Sequence, residues 1–307
     1  MHLGKNKILI TGAKGFLGYE ILKFLSNKNK VIGTSRIKNN SYIHINYPKI
    51  RIKECHLNGV NTVFHLASLD RDQVKKNIKY SNKINLSFTE ELIDMCIKKK
   101  VKNFIYFSSI GVYGDNLKNS VDELTKPKPK DIYSKLKYSV EKKILKKKKI
   151  KVVVLRLSNV IGKPSRISKG FLKLFLPDIC NSALASKKII LKSDGKQYRD
   201  FIDLKLLLNI VSKVLLNIKK INKNTIFNVS SGNPVQIIEA SYKVQNIMKT
   251  KFKKKISIIK GKKTKEKKYK ISNNKLKNFI KLKIFFDLEK TIFDVIKFLK
   301  KNEIKTS

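Results

Sequence analysis

The chain has 307 residues, 41% of them apolar, which is enough for a substantial core in one large domain or two unequal ones. Its formal charge of +48 invites a nucleic-acid reading, yet only six of the 70 cations are arginine, the residue that base edges and phosphates favour; the charge is read as a solvated lysine surface that attracts anionic substrates, and no nucleic-acid partner is expected. Cys55, Cys96 and Cys180 are far apart and outside any Cys/His cluster, no apolar run nears the roughly 20 residues of a membrane span, and the first strand starts without a leader, so a cytoplasmic protein with no disulfide framework, metal or membrane partner is expected.

Taken in chain order, Lys7–Ile10 reads as a short buried strand and Phe16–Leu25 as the helix after it. Strands are expected at 31–36, 42–47 and 61–67, a helix over 81–100 with Ile84, Phe88, Leu92, Ile93 and Cys96 on one face, and a strand at 104–109. A helix over 133–148 precedes Lys151–Asn159, which is almost continuously apolar, as a strand buried on both faces should be. Alternating strands and helices of this length predict a Rossmann-like, doubly wound parallel sheet of the α/β class. After Gly162 the rhythm breaks into a smaller α+β C-terminal lobe, with a helix over 201–218, a strand at 225–229, a helix from about 236, an exposed lysine-heavy stretch over 251–270 and a final helix near 288–300. The expected domains are residues 1–162, completed by part of 199–225, and 163–307 as the substrate lobe.

Three stretches carry chemistry. Thr11-Gly12-x-x-Gly15-x-x-Gly18 lies between the first strand and helix, where Gly12 permits a tight turn, Gly15 lets a pyrophosphate approach the backbone and Gly18 lets the helix pack close. The spacing is three and three, where the usual dinucleotide fingerprint has two and three, and glycines in a turn can also be merely structural. Ser108-Ser-Ile-Gly-Val-Tyr-Gly114 follows at the C-terminal end of a strand, where ligands bind in open parallel sheets. Tyr133-Ser-Lys-Leu-Lys137 puts a phenol and an ammonium one helical turn apart, and such a neighbour lowers a phenol's pKa, although Tyr-x-x-x-Lys arises readily by chance in so lysine-rich a chain.

The ordered set is specific. The glycine turn, His65-Leu-Ala-Ser68, the Ser-Ser…Val-Tyr-Gly strand end, Tyr-x-x-x-Lys, Asn85, Leu155-Arg-Leu-Ser-Asn-Val-Ile-Gly162, Gly195-Lys-Gln-Tyr-Arg-Asp-Phe201 and Phe227-Asn-Val-Ser-Ser-Gly232 together resemble the extended short-chain dehydrogenase/reductases of the NAD-dependent epimerase/dehydratase family. The resemblance implies that Gly12, Gly15, Phe16, Leu17 and Gly18 hold a cofactor pyrophosphate and that Leu66, Ala67 and Ser68 line its ribose. It implies that Tyr133 is the acid/base, that Lys137 tunes it and binds the nicotinamide ribose, and that Ser109 bonds the reacting sugar hydroxyl. Asn159 and Arg199 would hold the diphosphate of a nucleotide-sugar substrate, and a homodimer would form through the helices at 81–100 and 133–148, with Lys146–Lys149 at its rim.

Departures narrow the implied activity. Ser35-Arg36 stands where an acidic residue would receive the adenosine ribose; a hydroxyl followed by a cation suits a 2′-phosphate, which favours NADP over NAD, although Arg36 could simply stack on adenine. Ile110-Gly111 follows Ser109 where the family's dehydratases carry an Asp-Glu pair, so dehydration is disfavoured, and Gly111 also stands where the 3,5-epimerase/reductase branch has a cysteine. The resemblance then implies a nucleotide-sugar epimerase that moves a hydride at sugar C4; the alternatives are an NADPH-dependent 4-keto-sugar reductase and a catalytically silent cofactor-binding relative. His65 is read as a packed residue outside the site.

Overall fold

The glycine-rich start folds as a strand, β1 (Lys7–Thr11), a turn and a helix, α1 (Phe16–Ser26), in a computed structural model that describes residues 6–114, 119–264 and 268–302. The strands that follow are β2 (Lys30–Ser35), β3 (Ile43–His44), β4 (Thr62–His65), β5 (Asn103–Ser109), β6 (Lys151–Leu157) and β7 (Thr225–Val229). They form one sheet in the order β7-β6-β5-β4-β1-β2-β3. Strands β1 to β6 pair in parallel, with Ile8 opposite both Val31 and Thr62, and Ser108 opposite Arg156. The chain builds outward from β1 through β2 and β3, then returns to the other side of β1 with β4. That reversal opens a crevice beyond the C-terminal ends of β1 and β4, the place where doubly wound sheets bind ligands.

The sheet is held by apolar residues with no exposure, among them Leu9, Val63, Phe104, Val152 and Val154, packed with Leu92 and Ile93 of α3 (Phe88–Lys98) and Val140 and Ile144 of α4 (Ile132–Ile144). Each such side chain contributes about 1.5–3 kcal/mol by leaving water. A short helix, α2 (Arg71–Lys76), follows β4 and is capped by Asp70, whose carboxylate accepts from the Gln73 amide at 2.9 Å.

The helix expected over 81–100 is a composite: a short helical run, Ile78–Asn82, widens into a π turn, Lys83–Ser87, before α3 begins. The wide turn places Asn85 inward, where its side-chain oxygen accepts from the Leu69 amide at 2.8 Å. The helix expected over 201–218 starts later, at Leu204, because Phe201–Asp203 is a strand and Asp203 caps the helix through the Leu206 amide at 3.1 Å. The third strand shrinks to two residues.

The chain forms two compact units, one of residues 1–115, 123–157 and 211–228, the other of residues 116–122, 158–210 and 229–307. Residues 119–122 and 158–162 fall in the second unit. Pairing explains both. Within that unit Asn119–Val121 runs parallel to Tyr269–Ile271, and Asn159–Ile161 runs parallel to Phe201–Asp203. The unit also holds the helices Phe175–Ser186, Ile237–Phe252 and Leu288–Lys301, and Ser257–Ile259, inside the stretch expected to be an exposed lysine run, pairs with Lys188–Ile190. Among the described residues, no helix is long and apolar enough to cross a membrane.

Candidate active site

The crevice begins at the glycine turn. Gly12 has φ +70°, and a Cβ there would sit 2.8 Å from the Ala67 amide. A Cβ on Gly18 would lie 2.2 Å from the Gly12 carbonyl oxygen, so the first turn of α1 can pack this close only as glycine. Gly15 caps α1 without a side-chain bond, and the first turn holds no acidic residue, which leaves that end of the helix suited to an anion. This tight, side-chain-free cradle fits a dinucleotide pyrophosphate, with Phe16 and Leu17 following Gly15 into the helix.

On the β4 side, Leu66, Ala67 and Ser68 are half-buried in the loop after the strand. A hydrogen-bond chain fixes this loop. The Ala67 amide donates to Thr11 Oγ1 at 3.2 Å, and Thr11 Oγ1 lies 2.7 Å from His65 Nδ1. His65 Nε2 lies 2.8 Å from Thr89 Oγ1, which donates to the Asn85 carbonyl at 2.8 Å. Because the Thr89 proton is already committed, His65 must carry its own on Nε2 and accept from Thr11 on Nδ1. Burial among Phe88, Phe104 and Tyr106 pushes its pKa down to about 3, so His65 is a neutral structural bridge, as its place in the sequence suggested.

At the end of β2, Ser35 Oγ donates to the Ile37 carbonyl and accepts from the Ile37 amide, both at 3.0 Å. Its hydroxyl is thus engaged in its own turn. Arg36 is exposed, and its carbonyl meets His44 Nε2 at 3.1 Å.

The residues expected to be catalytic lie at the end of β5 and on α4. Ser109 caps the short helical turn Ile110–Tyr113, its Oγ accepting from the Gly111 amide at 3.1 Å. Tyr133 and Lys137 sit on α4, which begins at Asp131: one carboxylate oxygen accepts from the Ser134 amide at 3.0 Å, the other from the Ser134 hydroxyl at 2.7 Å. The Lys137 ammonium is buried, donates to the Phe107 carbonyl at 2.9 Å and lies 5.8 Å from the Tyr133 ring centre. Burial brings its pKa down to about 8, partly offset by Glu141. Burial also pushes Tyr133 up to about 12, opposed by Arg71 and reinforced by Asp131 and Asp70. The spacing Tyr-x-x-x-Lys predicted that the lysine would lower the phenol's pKa; here the ammonium is turned into the strand end and the opposing cation is Arg71.

Two motif residues prove structural. Arg156 is fully buried and pairs with Glu141 at 2.7 Å, while Ser108 Oγ donates to the same carboxylate. Arg156 also donates to the Tyr113 hydroxyl at 2.8 Å, and that hydroxyl donates to Asn228 Oδ1 at 2.7 Å. Adjacent serines therefore part company: Ser108 points to the core network, Ser109 to the turn. Asn159 and Arg199 lie in the second unit. Asn159 donates to the Asp200 carbonyl at 2.8 Å, and Arg199 to the Tyr198 carbonyl at 2.8 Å. Asp200 is fully buried, and its carboxylate accepts from the Ser231 amide at 2.8 Å and the Gly232 amide at 2.9 Å, tying the 231–232 turn to the arginine's strand.

Sequence reasoning passed over Arg71, Asp131 and Glu141. Asp131 and Glu141 left signals, an acidic cap three residues before Ser134 and a Lys-x-x-x-Glu step on α4; Arg71 left none, since it meets Asp131 across 60 positions. Among the described residues no group of three metal-ligating side chains occurs.

A sequence model of the NAD dependent epimerase/dehydratase family matches residues 8–230, well over half the chain. The protein belongs to that family. It is similar to the ADP-L-glycero-D-manno-heptose-6-epimerase of Brachyspira hyodysenteriae, 26% identical over 266 residues, covering 79% of this chain and 81% of that one. It is also similar to the dTDP-D-glucose 4,6-dehydratase of Dictyostelium discoideum, 25% identical over 277 residues, covering 78% of this chain and 62% of that one. In three dimensions it resembles the UDP-glucose 4-epimerase of Thermotoga maritima solved with UDP-glucose, with a TM-score of 0.81 at 22% identity, covering 97% of this chain and 99% of that one. The family is NAD-dependent, and its members named here as relatives are enzymes, epimerases and dehydratases among them.

Proposed function

We propose that this protein is an NAD-dependent nucleotide-sugar epimerase acting at the sugar's C4, with Tyr133 as its acid/base. The observation that carries the reading is that Tyr133 and Lys137 share a face of α4, whose first turn packs against the turn that Ser109 caps at the end of β5, in the unit that holds the glycine turn. When bound, the nicotinamide supplies a hydride acceptor and donor. Tyr133 takes the proton of the sugar hydroxyl as the carbon is oxidised and returns one as it is reduced. Ser109 Oγ holds the same hydroxyl in line, and Lys137, anchored on Phe107, binds the cofactor ribose. Asn159 and Arg199 take the diphosphate. Gly111 supports epimerisation over dehydration, because it can offer no proton beside Ser109. The family's cofactor supports NAD, and the engagement of Ser35 in its own turn leaves Arg36 as the one residue favouring NADP and, with it, the reductase reading.

The test is to incubate the purified protein and NAD with UDP-glucose, UDP-glucuronate, UDP-N-acetylglucosamine and ADP-heptose and follow the products by NMR. A C4 epimer in one of these, lost by at least about a hundredfold in Tyr133→Phe, is expected. Net consumption of NADPH with a keto-sugar would favour the reductase, and activity retained in Tyr133→Phe would sink the assignment of the tyrosine. Size-exclusion chromatography with light scattering tests the homodimer expected through α3 and α4.

A further inference from the structure

Side chains from three separate parts of the chain converge on a residue that has none. A Cβ on Gly111 would lie 2.7 Å from Ser134 Oγ, 3.0 Å from Arg71 Nη2 and 3.3 Å from Ser109 Oγ. Gly111 is not in the left-handed region, so the backbone does not demand glycine there; a Cβ would instead push aside the ends of the Ser134 and Arg71 side chains. The Arg71 guanidinium occupies this space. It pairs with Asp131 through Nη1 at 3.1 Å and lies over the Tyr133 ring, 5.3 Å from its centre. Both anchors are helix starts: Arg71 opens α2 next to its cap Asp70, and Asp131 caps the helix that carries Tyr133. A guanidinium held at two points against an aromatic face is a fixed charge rather than a wandering one.

Lys137 is less well placed for that task. Its ammonium is committed to the Phe107 carbonyl and lies closer to the Tyr106 ring, at 4.9 Å, than to that of Tyr133. The groups that face Tyr133 are therefore Asp70 and Arg71 from the start of α2, Asp131 and Lys137 from α4, and Tyr106 from β5. Of the charged groups acting on the phenol, the two aspartates disfavour its ionised form and Arg71 favours it.

We propose that Arg71 is a positioning residue of this active site: held by Asp131 across the Tyr133 ring, in the space that Gly111 leaves, it orients the phenol and offsets the negative charge that Tyr133 carries before it takes the sugar's proton. The inference rests on Tyr133 being the acid/base. It also gives Gly111 a role of its own, since the side chain missing at this position makes room for a cation brought from α2.

The test uses the full chain with NAD, labelled biosynthetically with a fluorotyrosine, whose phenol titrates at lower pH than that of tyrosine. The Tyr133 fluorine resonance is assigned by its loss in Tyr133→Phe. In Arg71→Gln its midpoint is expected to rise by about one pH unit, the lower end of what an opposite charge at this distance does, because the guanidinium is half exposed. Arg71→Lys, which keeps the charge and loses the fork, should restore part of the shift. Gly111→Ala, which keeps Arg71 but displaces it, should shift the midpoint in the same direction. The exposed Arg71–Asp131 pair contributes little to stability, so Arg71→Gln is expected to fold. An unchanged midpoint in Arg71→Gln overturns the proposal. Turnover of the sugar nucleotide found in the panel should fall about tenfold near neutral pH in Arg71→Gln, in kcat rather than KM. Turnover that survives in Tyr133→Phe would instead overturn the acid/base reading and leave the titration result standing.

Discussion

Lys137 of α4 donates its ammonium to the carbonyl of Phe107 in β5 at 2.9 Å, from a site with almost no solvent. Burial holds its pKa at about 8, below the ordinary 10.5. Below pH 8 the lysine is charged in both folded and unfolded chains, and the cost of burying the charge is fully present. Between about 8 and 10.5 the folded chain has lost the proton while the unfolded chain keeps it, so stability rises with pH. Urea unfolding from pH 7 to 10 should show wild type gaining, relative to Lys137→Met, at most on the order of 3 kcal/mol. Parallel pH dependences in the two proteins would mean that the ammonium is not desolvated in solution.

His65 gives the opposite end of the scale. Its depressed pKa of about 3 means that the unfolded chain takes up a proton first as pH falls below 6.5, and stability drains away from there downward. The loss should run at roughly 1.4 kcal/mol per pH unit once the unfolded histidine is charged. In His65→Gln this component should vanish, although the variant starts less stable at pH 7 because the bridge between Thr11 and Thr89 is broken. The comparison to make is the difference in urea midpoint between the two proteins at pH 7 and pH 5.

Gly18→Ala should damage the cofactor site more than the fold. The added methyl meets the Gly12 carbonyl oxygen at 2.2 Å and the Gly12 carbonyl carbon at 2.9 Å, both backbone atoms with no rotamer to yield. Displacing α1 should cost about 1–3 kcal/mol of stability. NAD affinity, measured by calorimetry, should fall at least about tenfold. Affinity equal to wild type would show that the cradle is not where the pyrophosphate sits.

The Arg156–Glu141 pair should behave as a buried ion pair whose halves depend on each other. Arg156→Met leaves the Glu141 carboxylate with Ser108 Oγ as its remaining side-chain partner, and should cost about 3–5 kcal/mol. Adding Glu141→Gln to that variant should recover part of the loss, because the orphaned charge is gone. Thermal unfolding of the two single variants and the double variant reads this directly; strictly additive losses would refute the coupling.

The parallel sheet and the glycine turn were legible because their signals are local. A short apolar run followed by glycines at fixed steps describes β1, its turn and α1, and Tyr133 and Lys137 share a helix face whatever surrounds them. The ordered motifs likewise placed Ser109 at a strand end and the chain in its family. What misled was also local: Phe201–Asp203 is as apolar as a helix start, and only its pairing with Asn159–Ile161 makes it a strand. The same kind of pairing places residues 119–121 and 159–161 in the second unit.

The sequence by itself determined the fold class, the glycine turn between the first strand and helix, and the spacing of Tyr133 and Lys137 on one helix face. Tertiary structure alone decided what each charge does. Arg156 belongs to one of the motifs and is a core cation, because Glu141 and Tyr113 reach it from α4 and from the turn after β5. Lys137 looked like the cation that tunes Tyr133 and is bonded to Phe107, while Arg71, unmarked by any motif, lies across the phenol. The physical reason is that an ionisable group answers to burial and to charges within a few ångströms, and those neighbours come from other elements, 15 positions away for Arg156 and Glu141, 30 for Lys137 and Phe107 and 60 for Arg71 and Asp131.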